Sequence, residues 1–381
     1  MERGTNTKCI HLEEEENGNH YGALSFPIYQ TATYAHPGVG QSTGFDYSRL
    51  QNPTREHLEK YVAQLEGGID AFALSTGMAA ISLLFEIFEP GDHIIAEKDL
   101  YGGSIRLFEN VSKKNGYEFT FLNCATDDIA ASIRENTKAI YIETPTNPMM
   151  SVSDIGEIAE LAKKRNLLLI VDNTFLSPYF QNPLKLGADI VIHSGTKFLG
   201  GHNDTLAGFI VTNHPAVREK LRFLIKTTGA GLAPFDSWLI LGGIKTLGIR
   251  MERSEKNATQ IAEWLQNQKH VTKVFYPGLK EHPGHEIMKK QARGFGSMLT
   301  FYVDSKENAL KILEKVRLIK FAESLGGVET LITYPATQTH ADVPEAVRLE
   351  NGITETTLRL SVGIEDVEDL IGELETIFED L

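Results

Sequence analysis

Cysteine is scarce in this 381-residue chain, where only Cys9 and Cys124 occur. Two distant thiols form no disulfide framework and offer no ligand spacing for zinc or an iron–sulfur cluster, which fits a reducing cytoplasm. Positive charge is also short: 37 Lys and Arg stand against 51 Asp and Glu, a net of −14. Such a surface repels phosphate backbones and speaks against nucleic acid as a partner, while a locally positive pocket stays open to small anions. No apolar run approaches the ~20 residues of a membrane span, and no apolar signal core follows Met1. The expectation is therefore a cytoplasmic protein without a membrane partner. Internal repeats and low-complexity linkers are absent. His282 and His285 are separated by Pro283-Gly284, which breaks a helix, so they do not share a helical face as a metal pair would; no metal is expected.

What is present has the size of about two domains. Residues 1–50 show little helical periodicity and read as an extended N-terminal arm packing on another subunit, with Glu13–Glu16 a solvated run. Helix signals begin at Asn52-Pro53-Thr54, where Thr54 can cap; Leu58, Val62 and Leu65 share a face, and Gly67-Gly68 stops the helix. Short apolar runs then alternate with helical patterns such as Ile155–Leu161. The runs are His93–Ala96, Phe119–Leu122, Ala139–Ile142, Leu167–Val171, Asp189–Ile192 and Gly208–Val211. This predicts an α/β domain over 51–245 with a mainly parallel sheet covered on both faces. Over 246–381, helices near Ile261–Leu265 and Ala309–Val316 accompany strands at Met298–Val303 and Leu358–Val362, and Val367, Leu370, Ile371 and Leu374 form a helical stripe. A smaller α+β C-terminal domain is expected there.

Six segments carry chemistry. Asp189–Lys197 is a buried strand running into His193-Ser194-Gly195-Thr196-Lys197. A lysine beyond a strand's carboxyl end lies where open α/β sheets bind ligands, and partial desolvation favours the neutral amine that forms a Schiff base. The segment reads equally as a loop with a surface lysine. Ser194-x-x-Lys197 also matches a Ser–Lys acyl-transfer pattern, but its companion motifs are missing. Leu167–Val171 ends in Asp172, the type of acid that keeps a pyridine nitrogen protonated, or else a cap or loop aspartate. Ser75-Thr76-Gly77-Met78 opens a helix whose N–H groups suit a phosphate. Tyr101 precedes Gly102-Gly103, which lets a ring stack on a planar group approached by backbone; a core tyrosine at a turn would look the same. Asn147 sits between Pro145 and Pro148, held for donation. Arg359 lies inside the apolar strand Leu358–Val362, which is costly without a partner. It reads either as a substrate-carboxylate ligand or as an internal ion pair.

Taken together and in this order, these segments resemble the Cys/Met-metabolism enzymes that depend on pyridoxal phosphate (PLP), the trans-sulfuration family. The resemblance runs from Phe26-Pro27-Ile28-Tyr29-Gln30 to the C-terminal helix. It includes Tyr47-Ser48-Arg49, Asn52-Pro53-Thr54-Arg55 and Ser324-Leu325-Gly326-Gly327. It implies the aspartate-aminotransferase-type PLP fold, with a small C-terminal domain, an N-terminal arm and a homotetramer of two catalytic dimers. It also implies residue roles. Lys197 would bind the cofactor covalently and shuttle protons, and Asp172 would pair with the ring nitrogen. Gly77, Met78, Ser194 and Thr196 would hold the phosphate, joined by Tyr47 and Arg49 of a neighbouring subunit. Tyr101 would stack on the ring and serve as acid or base, and Asn147 would face the cofactor's phenolic oxygen. Arg359, helped by Ser324, would take the substrate's α-carboxylate.

Three further positions bear on the substrate. Asp46, Arg106 and Glu329 resemble the acidic, Arg and Glu positions of family members that handle cystathionine, whose distal ammonium and carboxylate such charges suit. They read alternatively as solvated charges at a pocket mouth. The position two after Tyr101 is Gly103, where methionine γ-lyases typically carry cysteine. The implied activity is carbon–sulfur cleavage or formation on cystathionine-type amino acids, with γ-lyase ahead of γ-synthase and β-lyase. Methionine γ-lyase or O-acylhomoserine sulfhydrylase is the alternative. Gly195, Asn203 and Gln338 depart from the commoner Ala, Ser and Met.

Overall fold

A computed structural model describes residues 3–13 and 21–381; Glu14, Glu15 and Glu16 lie outside them. Among the described residues the strands form two sheets. The first contains β1 (Asp70–Leu74), β2 (His93–Glu97), β3 (Glu118–Leu122), β4 (Thr137–Glu143), β5 (Leu168–Asp172), β6 (Ile190–Ser194) and β7 (Gly208–Thr212). Their order is β1-β7-β6-β5-β4-β2-β3. Only β7 runs against the rest, pairing antiparallel with β1 and β6. The carboxyl ends of β1, β2, β4, β5 and β6 therefore share one edge, and that edge holds the site. The sheet is near-continuously buried on both faces, as expected of apolar strands flanked by helices. The exception is β3, a half-exposed edge strand. Strand β1 escaped sequence reading because the short run Asp70-Ala-Phe-Ala-Leu74 is squeezed between the Gly67-Gly68 helix stop and the Ser75-Thr76-Gly77 helix start.

The second sheet, in order β10-β11-β12-β9-β8, comprises β8 (Val271–Phe275), β9 (Met298–Val303), β10 (Lys320–Phe321), β11 (Leu331–Thr333) and β12 (Thr357–Ser361). Two of its five were expected. The short β10 and β11 carry too few residues for a period-2 pattern, and β8 is interrupted by exposed Thr272 and Lys273. The final helix, Val367–Phe378, buries Val367, Leu370 and Leu374 as its stripe predicts.

Two helical expectations are corrected. Thr54 is not the cap. Asn52 is, its side chain accepting from the backbone N–H of Thr54 and Arg55, while Thr54 Oγ1 donates to Pro27 O at 2.9 Å. The helix is α2 (Pro53–Glu66), ended by Gly67 at φ 78°. The arm is not wholly extended either, since α1 (Thr5–Ile10) packs Cys9 into the core against α2. Helix α3 (Gly77–Phe85) is capped by Thr76 Oγ1 on Ala79 N, α4 (Gly102–Leu107) follows Tyr101, and α5 (Ile155–Arg165) is capped by Asp154.

Candidate active site

Lys197 lies three residues beyond β6. Its Nζ donates to Ser324 Oγ at 2.7 Å. Burial, helped by the nearby Arg359 charge, lowers its pKa to about 8. A lysine that gives up its proton near neutrality is a usable nucleophile and base. Ser324 holds a left-handed backbone at φ 91°, and its carbonyl accepts from Arg359 Nη2 at 2.9 Å. One residue thus ties the lysine to the arginine. Left-handed backbone costs a non-glycine residue free energy that the surroundings must offset, and both ties supply that offset.

Arg359 is 1% exposed on β12. Its Nη1 donates to Asn147 Oδ1 at 2.8 Å and its Nη2 also to Thr333 Oγ1 at 3.1 Å, while Nε has no partner. No carboxylate bonds it, so the internal ion pair anticipated as one reading is absent among the described residues. Burial lowers its pKa to about 10. A buried cation with neutral partners and an unused donor is poised for an anion.

Asp172 ends β5. One carboxylate oxygen accepts from Thr174 N at 3.0 Å and Thr174 Oγ1 at 2.6 Å; the other has no hydrogen-bond partner among the described residues. Thr174 Oγ1 accepts from Ser194 N at 2.9 Å, joining the two strand ends. Sequence reading missed Thr174, although the Asp-x-Thr spacing is an Asx-turn signal. It also missed Glu143, the register partner of Asp172, whose Oε2 accepts from Tyr101 N at 3.1 Å. Burial and then the Asp172 charge push Glu143 well above the carboxylate range, and burial raises Asp172 as well, so the two carboxyls disfavour each other's ionisation.

The helix start is built for close approach. A Cβ on Gly77 would lie 3.0 Å from Ser194 Cβ, so the α3 N-terminus sits against Ser194. Ser194 Oγ has no partner among the described residues. Thr196 Oγ1 is engaged with the backbone of Ala207, at 3.3 Å to its O and 3.1 Å to its N. The ring of Tyr101, 40% exposed, covers Gly103, where a Cβ would lie 2.4 Å from Tyr101 Cε1 and 3.1 Å from Met78 Sδ. Gly195 has its own cause: a Cβ would meet Phe209 at 2.4 Å. Neutral, buried His340 pins the Leu100 carbonyl beside Tyr101 through Nε2 at 3.2 Å; burial lowers its pKa to about 4.

Other expected residues lie apart from this cluster within one chain. Arg49 Nη1 donates to Lys226 O and its guanidinium lies 5.5 Å from the centre of the Tyr47 ring; neither residue hydrogen-bonds Lys197 or Ser194 among the described residues. Asp46 accepts from Ser42 Oγ at 2.8 Å and lies 3.5 Å from His36 Nε2. Arg106 pairs with Asp342, and Glu329 accepts from Asn203 Nδ2 at 2.7 Å. These three charges do not meet one another. Gln338, expected near the substrate, accepts from Tyr334 N at 2.8 Å and so folds onto its own turn.

The set of groups fits pyridoxal phosphate on structural grounds: a buried low-basicity lysine, an unpaired aspartate oxygen and a hydroxyl at a helix N-terminus. Comparison with known proteins agrees. The profile of the Cys/Met metabolism PLP-dependent enzymes matches residues 6–379. The chain is 49% identical over 361 residues to cystathionine gamma-lyase of Bacillus subtilis, covering 94% of this chain and 95% of the relative. It is equally 49% identical, over 360 residues, to cystathionine beta-lyase of Lactococcus lactis subsp. cremoris, covering 94% of both. The crystal structure of cystathionine gamma-lyase from Lactobacillus plantarum complexed with L-serine superposes with a TM-score of 0.96 at 44% identity, covering 99% of both chains.

Proposed function

The chain belongs to the Cys/Met metabolism PLP-dependent enzymes, and from that premise we propose that it is a cystathionine γ-lyase, holding pyridoxal phosphate on Lys197. Its chemistry is PLP-dependent carbon–sulfur bond cleavage or formation in trans-sulfuration. The observation that carries the site assignment is Ser324, which hydrogen-bonds Lys197 through its side chain and Arg359 through its carbonyl. The amine and carboxylate of a single α-amino acid are thereby addressed at one place.

Pyridoxal phosphate supplies the electron sink that acidifies the substrate's α-hydrogen. Asp172 presents its free oxygen to the ring nitrogen. Gly77, Met78, Ser194 and Thr196 bind the phosphate, with Ser194 offering a free hydroxyl. Tyr47 and Arg49 reach the phosphate of a neighbouring subunit, which accounts for their distance from Lys197 here, and the assembly is a homotetramer. Asn147, its Oδ1 engaged by Arg359, turns its amide to the phenolic oxygen. Arg359 binds the α-carboxylate. Lys197, neutral above about pH 8, accepts the α-proton and moves protons at the β-carbon, steered by the Ser324 hydroxyl. Tyr101 covers the ring and donates a proton to the departing sulfur. Asp46, Arg106 and Glu329 receive the distal ends of cystathionine. A domain division at 50 and 245 would assign Lys197, just past β6 of the first sheet, and Arg359, on β12 of the second, to different domains. A cytoplasmic location accords with two free, buried cysteines and with the lack, among the described residues, of a helix long and apolar enough to cross a membrane.

The test is a panel. Purified enzyme is given cystathionine, methionine, homocysteine, or O-acylhomoserine with cysteine, and keto acids and thiols are identified. Cystathionine yielding cysteine and 2-oxobutanoate is expected to dominate. Pyruvate and homocysteine as main products would instead assign β-cleavage, and preferential methionine turnover would refute the distal-charge reading.

A further inference from the structure

The Glu329 carboxylate is held in place by a residue 126 positions away, and the chain is shaped to allow it. Gly326, at φ 76°, lies on the backbone just past the lysine, where a Cβ would come within 2.8 Å of Phe198 N and 3.0 Å of Lys197 C. Gly327 lies on Asn203, whose Nδ2 would be 2.3 Å from a Cβ there. Asn203 itself takes φ 54°, a left-handed backbone that Asn tolerates better than most residues. Its Nδ2 then donates to Glu329 Oε2 at 2.7 Å, and Glu329 Oε1 has no partner among the described residues. The loop that follows Lys197 and the loop that follows Ser324 are thus joined at three successive points, the last being this hydrogen bond.

We infer that Asn203 is a specificity-determining positioning residue, whose amide fixes the Glu329 carboxylate so that its free oxygen receives the distal ammonium of the substrate. Both side chains are exposed, and an unheld glutamate there would lose rotamer freedom on binding. A neutral amide orients the carboxylate without neutralising it, which a lysine or arginine in the same place would do. The inference rests on the proposed role of Glu329 and adds the group that makes Glu329 effective.

The experiment compares L-cystathionine with S-(2-carboxyethyl)-L-homocysteine, which lacks only the distal amine. Wild-type holoenzyme, Asn203→Gly, Asn203→Ser and Glu329→Gln are assayed, with melting temperature and bound cofactor recorded for each. Glycine suits the left-handed backbone, and serine covers the case in which glycine loosens the turn. Loss of a hydrogen bond to a charged group predicts a KM for cystathionine raised about tenfold in Asn203→Gly and by less in Asn203→Ser, whose shorter side chain still carries a donor, with the constants for the amine-free compound unmoved. A merely structural role for Asn203 would shift both substrates together and would overturn the inference. If Glu329→Gln loses the preference for cystathionine while both Asn203 variants keep it, Asn203 has no such role and the reading of Glu329 stands. Absence of any preference in the wild type, or its survival in Glu329→Gln, refutes both.

Discussion

Replacement of Arg359 by leucine tests the centre of the site. The guanidinium is fully buried, hydrogen-bonded only to Asn147, Ser324 and Thr333, and lacks a carboxylate partner. Burial lowers its pKa from the ordinary 12.5 to about 10. At 1.36 kcal/mol per unit, that is about 3 kcal/mol by which burial disfavours the charge. A substrate carboxylate returns at least that much, so its loss should lower kcat/KM for cystathionine about 10²-fold. Stability should change little, because leucine removes a desolvated charge while leaving three neutral acceptors unpaired, and these effects oppose each other. Arg359→Lys keeps the charge but loses the planar fork, and an intermediate loss is expected. Steady-state kinetics, thermal melting and bound-cofactor absorbance together give the answer. A leucine variant that retains cofactor and stays within about threefold of wild-type kcat/KM would refute the assignment of Arg359 to the carboxylate.

Two further outcomes depend on pH. Only the neutral amine of Lys197 attacks an aldehyde, and burial places its pKa at about 8. Covalent PLP uptake by cofactor-free enzyme, trapped with borohydride, should therefore rise with pH, reach half its maximum near pH 8 and level off. A rate still climbing at pH 10 would mean an exposed, unperturbed lysine, and Lys197→Ala should show no uptake at any pH. Asp99 is fully buried, with Oδ2 accepting from Thr146 Oγ1 and Oδ1 unpartnered; burial raises its pKa from 3.8 to about 6. A folded-state pKa raised in this way contributes stability that is present below about pH 4 and lost as pH rises through about 6. Asp99→Asn should therefore raise the melting temperature by a few °C at pH 8 and give no gain at pH 4; a variant that melts lower at pH 8 would contradict this sign.

Much of this molecule was legible along the chain because its signals are local. Apolar runs mark the buried parallel strands, and the polar residues at or just past their carboxyl ends, Asp172, Ser194 and Lys197, mark the ligand edge. Wherever the signal was short or non-local, reading failed. Strands β10 and β11 have too few residues to show alternation, and they form because β12 offers β11 a partner and β11 in turn offers one to β10. Asn52 took the cap from Thr54 because Thr54 Oγ1 is drawn to Pro27, 27 residues back.

The residue types that address PLP chemistry, and their order, were set by sequence alone: a lysine, an acid, a small-residue helix start and an arginine each follow or occupy an apolar strand. Only the tertiary structure decided how they are coupled. It brought Ser324 between Lys197 and Arg359, left Arg359 without a counter-ion, placed Thr174 between Asp172 and Ser194, and set Asn203 on Glu329. Charge state and contact depend on what lies within a few ångströms, and those neighbours come from segments as far as 127 residues apart, which no local pattern can specify.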